Sequence, residues 1–307
     1  MTWSVDLPLV GAGGEPVDLW RTISSHGVAD LPPNRIDEDA RTLEVTLRVP
    51  GGRPRTVGIA QGPSGKARVT VLGPAPSPQL ADALLDRVRH VLRLDEDLSS
   101  FYERVQDDPD LSWATTGAGR MVRSATVFED VVKTIATTNC TWSATVRMVG
   151  ALVEHLGEPA DGAPSEGLYG RAFPTPSAMA EASEGFYKDV VRAGYRSTYF
   201  RSLADSAAAG QLDLEELGST PREKRPDAEV MERLLALPGV GPYAAAHMMM
   251  LLGRYSPLIL DSWTRPKYAS VNGRKASDAG IQRRFRRYGP YAGLAFWLYL
   301  TRDWVED

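Results

Sequence analysis

The segment Leu258-Ile259-Leu260-Asp261-Ser262-Trp263 carries three apolar residues directly into one carboxylate. A carboxylate held in that way can stabilise positive charge developing on a reacting group, or orient and deprotonate a water. It can equally cap the helix that follows, and one residue can do both. A second segment, upstream, holds its chemistry in the backbone. In Leu234-Leu235-Ala236-Leu237-Pro238-Gly239-Val240-Gly241-Pro242-Tyr243 an apolar helix runs into Leu237 and Pro238-Gly239 turns the chain. Gly241 permits close backbone approach, and Pro242 starts a new helix at its first position. Val240 is expected to plug the hairpin into the core. Consecutive N–H groups at a helix N-terminus then form an anion site that suits a DNA phosphate without any basic side chain. A bare pair of glycines would mean packing only; LPGVG between two apolar helices is more specific.

The totals limit what else the chain can be. With 307 residues and 43% hydrophobic composition it is long enough for about two globular domains with buried cores. The one cysteine, Cys140, excludes a disulfide framework and a four-cysteine zinc or iron–sulfur site, and fits a reducing compartment. No basic leader followed by an apolar stretch opens the sequence, and no apolar run is long enough to span a bilayer. A cytoplasmic, membrane-free protein is expected. Net charge is −4, so bulk charge does not advertise a nucleic-acid binder. Basic residues gather late, at Arg265, Lys267, Arg274, Lys275, Arg283, Arg284, Arg286 and Arg287. Taken alone, that cluster reads as a solvated helix face.

The elements that must position these residues follow from periodicity. Leu43, Val45, Leu47 and Val49 alternate with polar residues, Val57 and Ile59 continue the pattern, and Val69 and Val71 carry a third strand. Ser77-Pro78 opens a helix whose apolar face is Leu80, Leu84, Val88, Val91 and Leu92. The expectation is an α+β N-terminal domain, an antiparallel sheet covered by a helix, over residues 1–100. From about Asp95 the pattern turns helical: Phe128, Val131, Val132 and Ile135 form one stripe, and Val149, Leu152, Val153 and Leu156 another, stopped by Gly157. Asp227 is expected to cap a helix carrying Val230, Leu234 and Leu235, and 158–172 is the clearest loop. Residues 101–307 thus read as a mostly α-helical domain containing the hairpin at 234–252.

These motifs resemble the helix-hairpin-helix DNA glycosylase superfamily, in its alkylpurine and 8-oxoguanine branch. In that family a Gly/Pro-rich hairpin is followed by a catalytic aspartate, and Asp261 stands in that place. Further segments agree: Phe128 to Cys140 resembles the first core helix and the turn that enters the duplex, Phe173-Pro174-Thr175-Pro176 a helix start, Gly194-Tyr195-Arg196 the loop that meets the base opposite the lesion, and Tyr288 to Gly293 the start of the pocket helix. His26-Gly27 followed by Asp30-Leu31-Pro32-Pro33 resembles an N-terminal feature of bacterial alkylpurine glycosylases. The resemblance implies a monomer in the bacterial nucleoid, acting on damaged double-stranded DNA in base excision repair, with its active site in a cleft between helical subdomains and no obligate protein partner. It also implies backbone binding of DNA at Gly239, Val240, Gly241 and Tyr243.

One departure bears on mechanism. Bifunctional members carry a lysine two residues after the second hairpin glycine, where this chain has Tyr243; the nearest downstream lysine is Lys267. A monofunctional enzyme without a Schiff base is the expectation, with Asp261 stabilising the charged sugar once the base leaves the stack. Asn139 is a candidate to fill the vacated stack, or simply forms an Asx turn. Tyr195 could wedge the duplex and Arg196 touch the estranged base; packing is the alternative for Tyr195. Alignment with the family places Phe296 and His247 in the base pocket, which with Tyr243 and Trp263 would be aromatic and suit a cationic N-alkylated purine. Core packing is the commoner fate of such residues. No cofactor is implied beyond a candidate monovalent cation on the carbonyls of Leu235, Leu237 and Val240. The competing readings are an 8-oxoguanine glycosylase, which Asn139 and Tyr195-Arg196 favour, and a non-catalytic helix-hairpin-helix DNA-binding protein, against which Asp261 counts.

Overall fold

Alternation along the first hundred residues produces a sheet with one buried face. The computed structural model describes residues 3–164 and 166–305. Its strands are β1 (Trp3–Pro8), β2 (Arg35–Asp37), β3 (Thr42–Leu47), β4 (Arg55–Gln61) and β5 (Lys66–Val71), in the order β1-β5-β4-β3-β2 and antiparallel throughout. Two strands go beyond the sequence reading. β2 is only three residues long, too short for a period to register. β1 does alternate, but its partner is β5, a pairing that only the folded chain reveals.

Two helices accompany the sheet, α1 (Leu19–Ile23) and α2 (Pro78–Val91). Ser77 caps α2 by accepting the Leu80 amide, and Leu84, Val88, Val91 and Leu92 are buried against Val45, Val57, Ile59 and Val69 of the sheet in one hydrophobic core. The remainder is helical: α3 (Ser99–Val105), α4 (Val127–Thr137), α5 (Trp142–Leu156), α6 (Pro176–Glu181), α7 (Arg196–Ala208), α8 (Glu215–Ser219), α9 (Asp227–Leu235), α10 (Pro242–Leu251), α11 (Thr264–Asn272), α12 (Asp278–Phe285) and α13 (Ala292–Thr301). A second core unites them. At its centre are α10 and α13, apolar on every side, as a helix surrounded by other helices must be. Among the described residues no helix is long and apolar enough to cross a membrane.

Two local expectations are corrected. Pro226, not Asp227, is the N-cap of α9; Asp227 lies inside the first turn and instead binds Arg254 at 2.8 Å and Ser256 at 3.0 Å. Leu235 is exposed rather than part of the apolar face, because α9 buries only Val230 and Leu234.

Candidate active site

The hairpin joins α9 to α10, and its glycines serve different ends. Gly239 has φ +80°, and a Cβ there would sit 2.6 Å from the Tyr199 ring. Both the backbone and the packing of α7 therefore require glycine. A Cβ on Gly241 meets nothing within 4 Å, so no neighbour within the protein demands it; it keeps the surface bare where it faces the cleft. Val240 is buried, as the plug expectation requires, but its amide donates to the Leu237 carbonyl at 3.1 Å. That corrects Val240 as a phosphate donor, since its N–H closes the turn.

Asp261 lies across a cleft of about 540 Å³ from this hairpin, with Asn139, Tyr195, Gly239, Gly241 and Tyr243 among the other walls. Its Oδ1 accepts the amides of Trp263 at 2.9 Å and Thr264 at 2.6 Å, while the Thr264 hydroxyl donates nothing to it and instead accepts the Asp261 amide at 2.8 Å. The carboxylate thus caps α11 and is locked in orientation. Oδ2 accepts no hydrogen bond among the described residues. Tyr243 is half-buried in the same cleft, and burial, with the Asp261 charge adding to it, raises its phenol above the ordinary value. The phenol is neutral, and no lysine lines the cleft among the described residues.

The opposite rim is built by α7 and by the turn between α4 and α5. Asn139 occupies the left-handed region at φ +47° and is exposed. Asparagine tolerates that backbone better than most residues, so the turn alone accounts for its type while its side chain stands at the cleft. Tyr195 is 52% exposed and meets Tyr199 edge-on at 5.8 Å. Arg196 departs from expectation. Only 5% exposed, it lies 4.5 Å from the Tyr195 ring, and its Nη2 donates to the Thr138 carbonyl. It ties the Tyr195 turn to the Asn139 turn and is not free to reach a base or a phosphate. Arg196→Met is expected to cost about 2 kcal/mol, as loss of a buried charge-assisted bond does. Urea unfolding measures this; a variant as stable as wild type would mean that the tie carries no load. Tyr199 escaped the sequence reading, although its spacing of one helical turn from Tyr195 was a usable signal.

The aromatic residues assigned to the base pocket scatter. Phe296 is fully buried among Phe285 at 5.1 Å and Tyr268 at 6.2 Å, and does not line the cleft. Trp263 is 39% exposed but packs with Trp297 and Trp304, at 5.6 and 5.5 Å, outside that cleft. His247 is buried one turn below Tyr243, with its ring 6.2 Å from the phenol and 5.6 Å from His26.

Burial keeps these imidazoles neutral. His26 is lowered to about 3, by burial first and by His247 second, and His247 to about 4 by burial. His90 is likewise lowered to about 4, mainly by burial. A depressed histidine binds its proton more weakly in the folded chain than in the unfolded one. Its stability is full above the ordinary value of 6.5 and is lost as pH falls toward the folded value. Asp130, pushed up to about 6 by burial, opposes this, regaining stability as pH falls from there toward 3.8. Asp30, also raised by burial, acts in the same sense as Asp130, and the three histidines outweigh these two carboxyls. The melting temperature is expected to fall from about pH 6.5 downward, at about 1.4 kcal/mol per pH unit for each net proton. Thermal unfolding of wild type and His247→Phe checks this: the slope should be shallower in the variant, and a flat wild-type profile would refute neutral burial.

Half of the late basic cluster is paired within the protein, while Arg274, Lys275, Arg283 and Arg286 remain exposed, as a solvated face would be. Arg265 pairs with Asp278, Lys267 with Asp303, Arg284 with Asp110 and Arg287 with Asp108, at 2.7 to 3.0 Å. Among the described residues no group of three or more His, Cys, Asp or Glu could hold a metal ion. A cation at the hairpin would rely on the carbonyls of Leu235, Leu237 and Val240, of which that of Leu237 already accepts the Val240 amide.

No protein-family model and no curated protein matches the sequence. Solved structures match the fold along nearly the whole chain. The 3-methyladenine DNA glycosylase from Archaeoglobus fulgidus is similar over 99% of this chain and 100% of its own, with TM-score 0.71 and 19% identity. The apo 8-oxoguanine glycosylase/lyase from Clostridium acetobutylicum is similar over 98% and 97%, with TM-score 0.69 and 19% identity. MBOgg1, in complex with a low-affinity DNA ligand, covers 98% and 96% with TM-score 0.70 and 18% identity. The N-terminal antiparallel sheet followed by a helical region is the fold of these proteins.

Proposed function

We propose, from a fold shared with DNA glycosylases and a cleft that joins a capped carboxylate to a bare hairpin, that this protein hydrolyses the N-glycosidic bond of damaged, N-alkylated purines in DNA. The observation that carries the reading is Asp261, fixed through Oδ1 and facing Tyr243 across the cleft. The backbone of Gly239, Gly241 and Tyr243 would meet a DNA phosphate at the N-terminus of α10. The extruded nucleotide would then bring its C1′ to Asp261. As the C1′–N9 bond breaks, its electron pair returns to the purine, cancelling the cationic charge of the alkylated ring. The sugar becomes oxocarbenium-like, and the carboxylate stabilises it. Water adds to C1′ and releases its proton to Asp261 or solvent. A cationic base leaves without help from an acid, which agrees with the neutral tyrosine at the position where a nucleophilic lysine would stand. The monofunctional assignment rests on that residue.

Single-turnover base release from duplexes carrying 7-methylguanine, 3-methyladenine, hypoxanthine or 8-oxoguanine tests the proposal. Release of the methylated purines, without strand nicking before alkali, is expected. Release of 8-oxoguanine alone would move the assignment to the other branch, and DNA binding without any release would leave only a DNA-binding protein.

A further inference from the structure

A second cleft, of about 400 Å³, begins where the turn after α4 ends. Asn139 and Cys140 line the first cleft, and Trp142, the first residue of α5, lines the second. Two more indoles face it: Trp20 from α1 and Trp304 from the chain that follows α13. Trp142 and Trp304 are 49% and 40% exposed, a costly way to leave large apolar rings unless something covers them. Trp142 stands over the backbone of the sheet unit, where a Cβ on Gly27 would lie 3.7 Å from its ring.

The two clefts have no lining residue in common, but packed rings lead from one toward the other on two sides. His26 lines it and packs on His247, which packs on Tyr243 of the Asp261 cleft. Trp304 packs on Trp263, two residues after Asp261. Rings in direct contact thus separate the tryptophan-walled space from the Asp261 cleft by a single packed layer.

The charge of the cleft is one-sided. Asp30 and Glu38 line it, and no lysine or arginine does among the described residues. Burial and the nearby Glu38 raise the Asp30 carboxyl above its ordinary value, which a cationic neighbour would reverse. His26, held neutral, adds no positive charge. Trp20 already accepts a cation on its ring, the Arg41 guanidinium at 6.0 Å. Indole faces beside carboxylates attract a flat cation. The volume also matters: clefts of roughly 300–1,000 Å³ hold drug-sized ligands, and a methyl group on a purine asks for far less.

We propose that this cleft, walled by Trp20, Trp142 and Trp304 and edged by Asp30 and Glu38, holds the substituent of the extruded base, so that the protein takes cationic purines bearing a large aromatic N-substituent. The arrival of the base rests on the glycosylase reading; affinity for the substituted purine does not. The first test is accordingly binding of free nucleosides to the intact protein, followed by quenching of tryptophan fluorescence. 7-Benzylguanosine is expected to bind about tenfold more tightly than 7-methylguanosine, a gain on the scale of one stacking interaction. Trp142→Ala and Trp304→Ala should each erase the preference, and Trp142→Phe should retain part of it. Equal affinity for the two nucleosides, or a preference unchanged in both alanine variants, would overturn the proposal. The second test compares base release from duplexes carrying 7-benzylguanine and 7-methylguanine. A nucleoside preference without release from either duplex would remove the glycosylase reading and leave the cleft assigned. Release of both bases at one rate, without a nucleoside preference, would do the reverse.

Discussion

Asp261→Asn is expected to slow single-turnover base release by about 10²- to 10³-fold, the scale on which one preorganised electrostatic group acts in a transition state. The amide is the informative substitution because it separates charge from structure. Asp261 Oδ1 accepts two backbone amides at the start of α11, and an asparagine oxygen can accept both. The helix cap therefore survives, whereas alanine would remove it at a cost of about 1 kcal/mol. What asparagine removes is the negative charge beside the sugar. Affinity for duplex DNA should hold or rise slightly, since a carboxylate near phosphates repels them. Measuring base release and DNA binding on the same preparation isolates the chemical step. Release within about twofold of wild type would mean that Asp261 only caps a helix, and the proposed mechanism would fall.

Glu15→Ala is expected to destabilise the fold by about 3–5 kcal/mol, the range for breaking a buried ion pair from one side. Arg120 is fully buried and is bound by the carbonyls of Arg93 at 2.6 Å and Glu96 at 2.9 Å, with Glu15 as its carboxylate partner. Glu15 Oε1 also accepts the Leu98 amide at 2.8 Å. Removing the carboxylate strands a guanidinium and an amide together, far from water. Glu15→Gln should cost less, because it keeps an acceptor for each. Arg120→Met combined with Glu15→Ala should recover part of the loss, since no charge is then left buried alone. The pair stands where residues 93–98 lead from the sheet core into the helical core. Urea unfolding with a far-ultraviolet probe and tryptophan emission reads the effect. A Glu15→Ala protein within about 1 kcal/mol of wild type would show that the buried charge finds other partners.

Much of the local structure was legible because it is decided by neighbours in sequence. Ser77-Pro78 starts α2, Pro242 starts α10, and Asp261 caps α11, each through groups within a few residues. The stripe of Phe128, Val131, Val132 and Ile135 is buried as expected, but so is every other residue from Val127 to Ala136, because α4 is covered on all sides by the fold. The hairpin, its valine plug and the carboxylate across from it could be read from types and spacing. That Tyr243 stands where a lysine is found in bifunctional glycosylases was legible only through the family resemblance.

Tertiary structure alone decided which of these groups are free to act. Arg196 looked like a base contact and is consumed by Thr138 and Tyr195; in the basic cluster Arg265, Lys267, Arg284 and Arg287 are paired with Asp278, Asp303, Asp110 and Asp108, while Arg274, Lys275, Arg283 and Arg286 stay exposed. Those aspartates lie in other elements, and no pattern within one element announces them. The aromatics show the same limit more sharply. Phe296 sits on α13, a helix apolar all round, so periodicity could not say which way it faces, and the fold turned it into the core. Trp20, Trp142 and Trp304 come from a short helix beside the sheet, the start of α5 and the end of the chain, and meet at one cleft. Sequence determines what each side chain can do through its own chemistry and its nearest neighbours. Which side chains face the same space depends on long-range packing, where segments distant in the chain compete to bury the same surfaces.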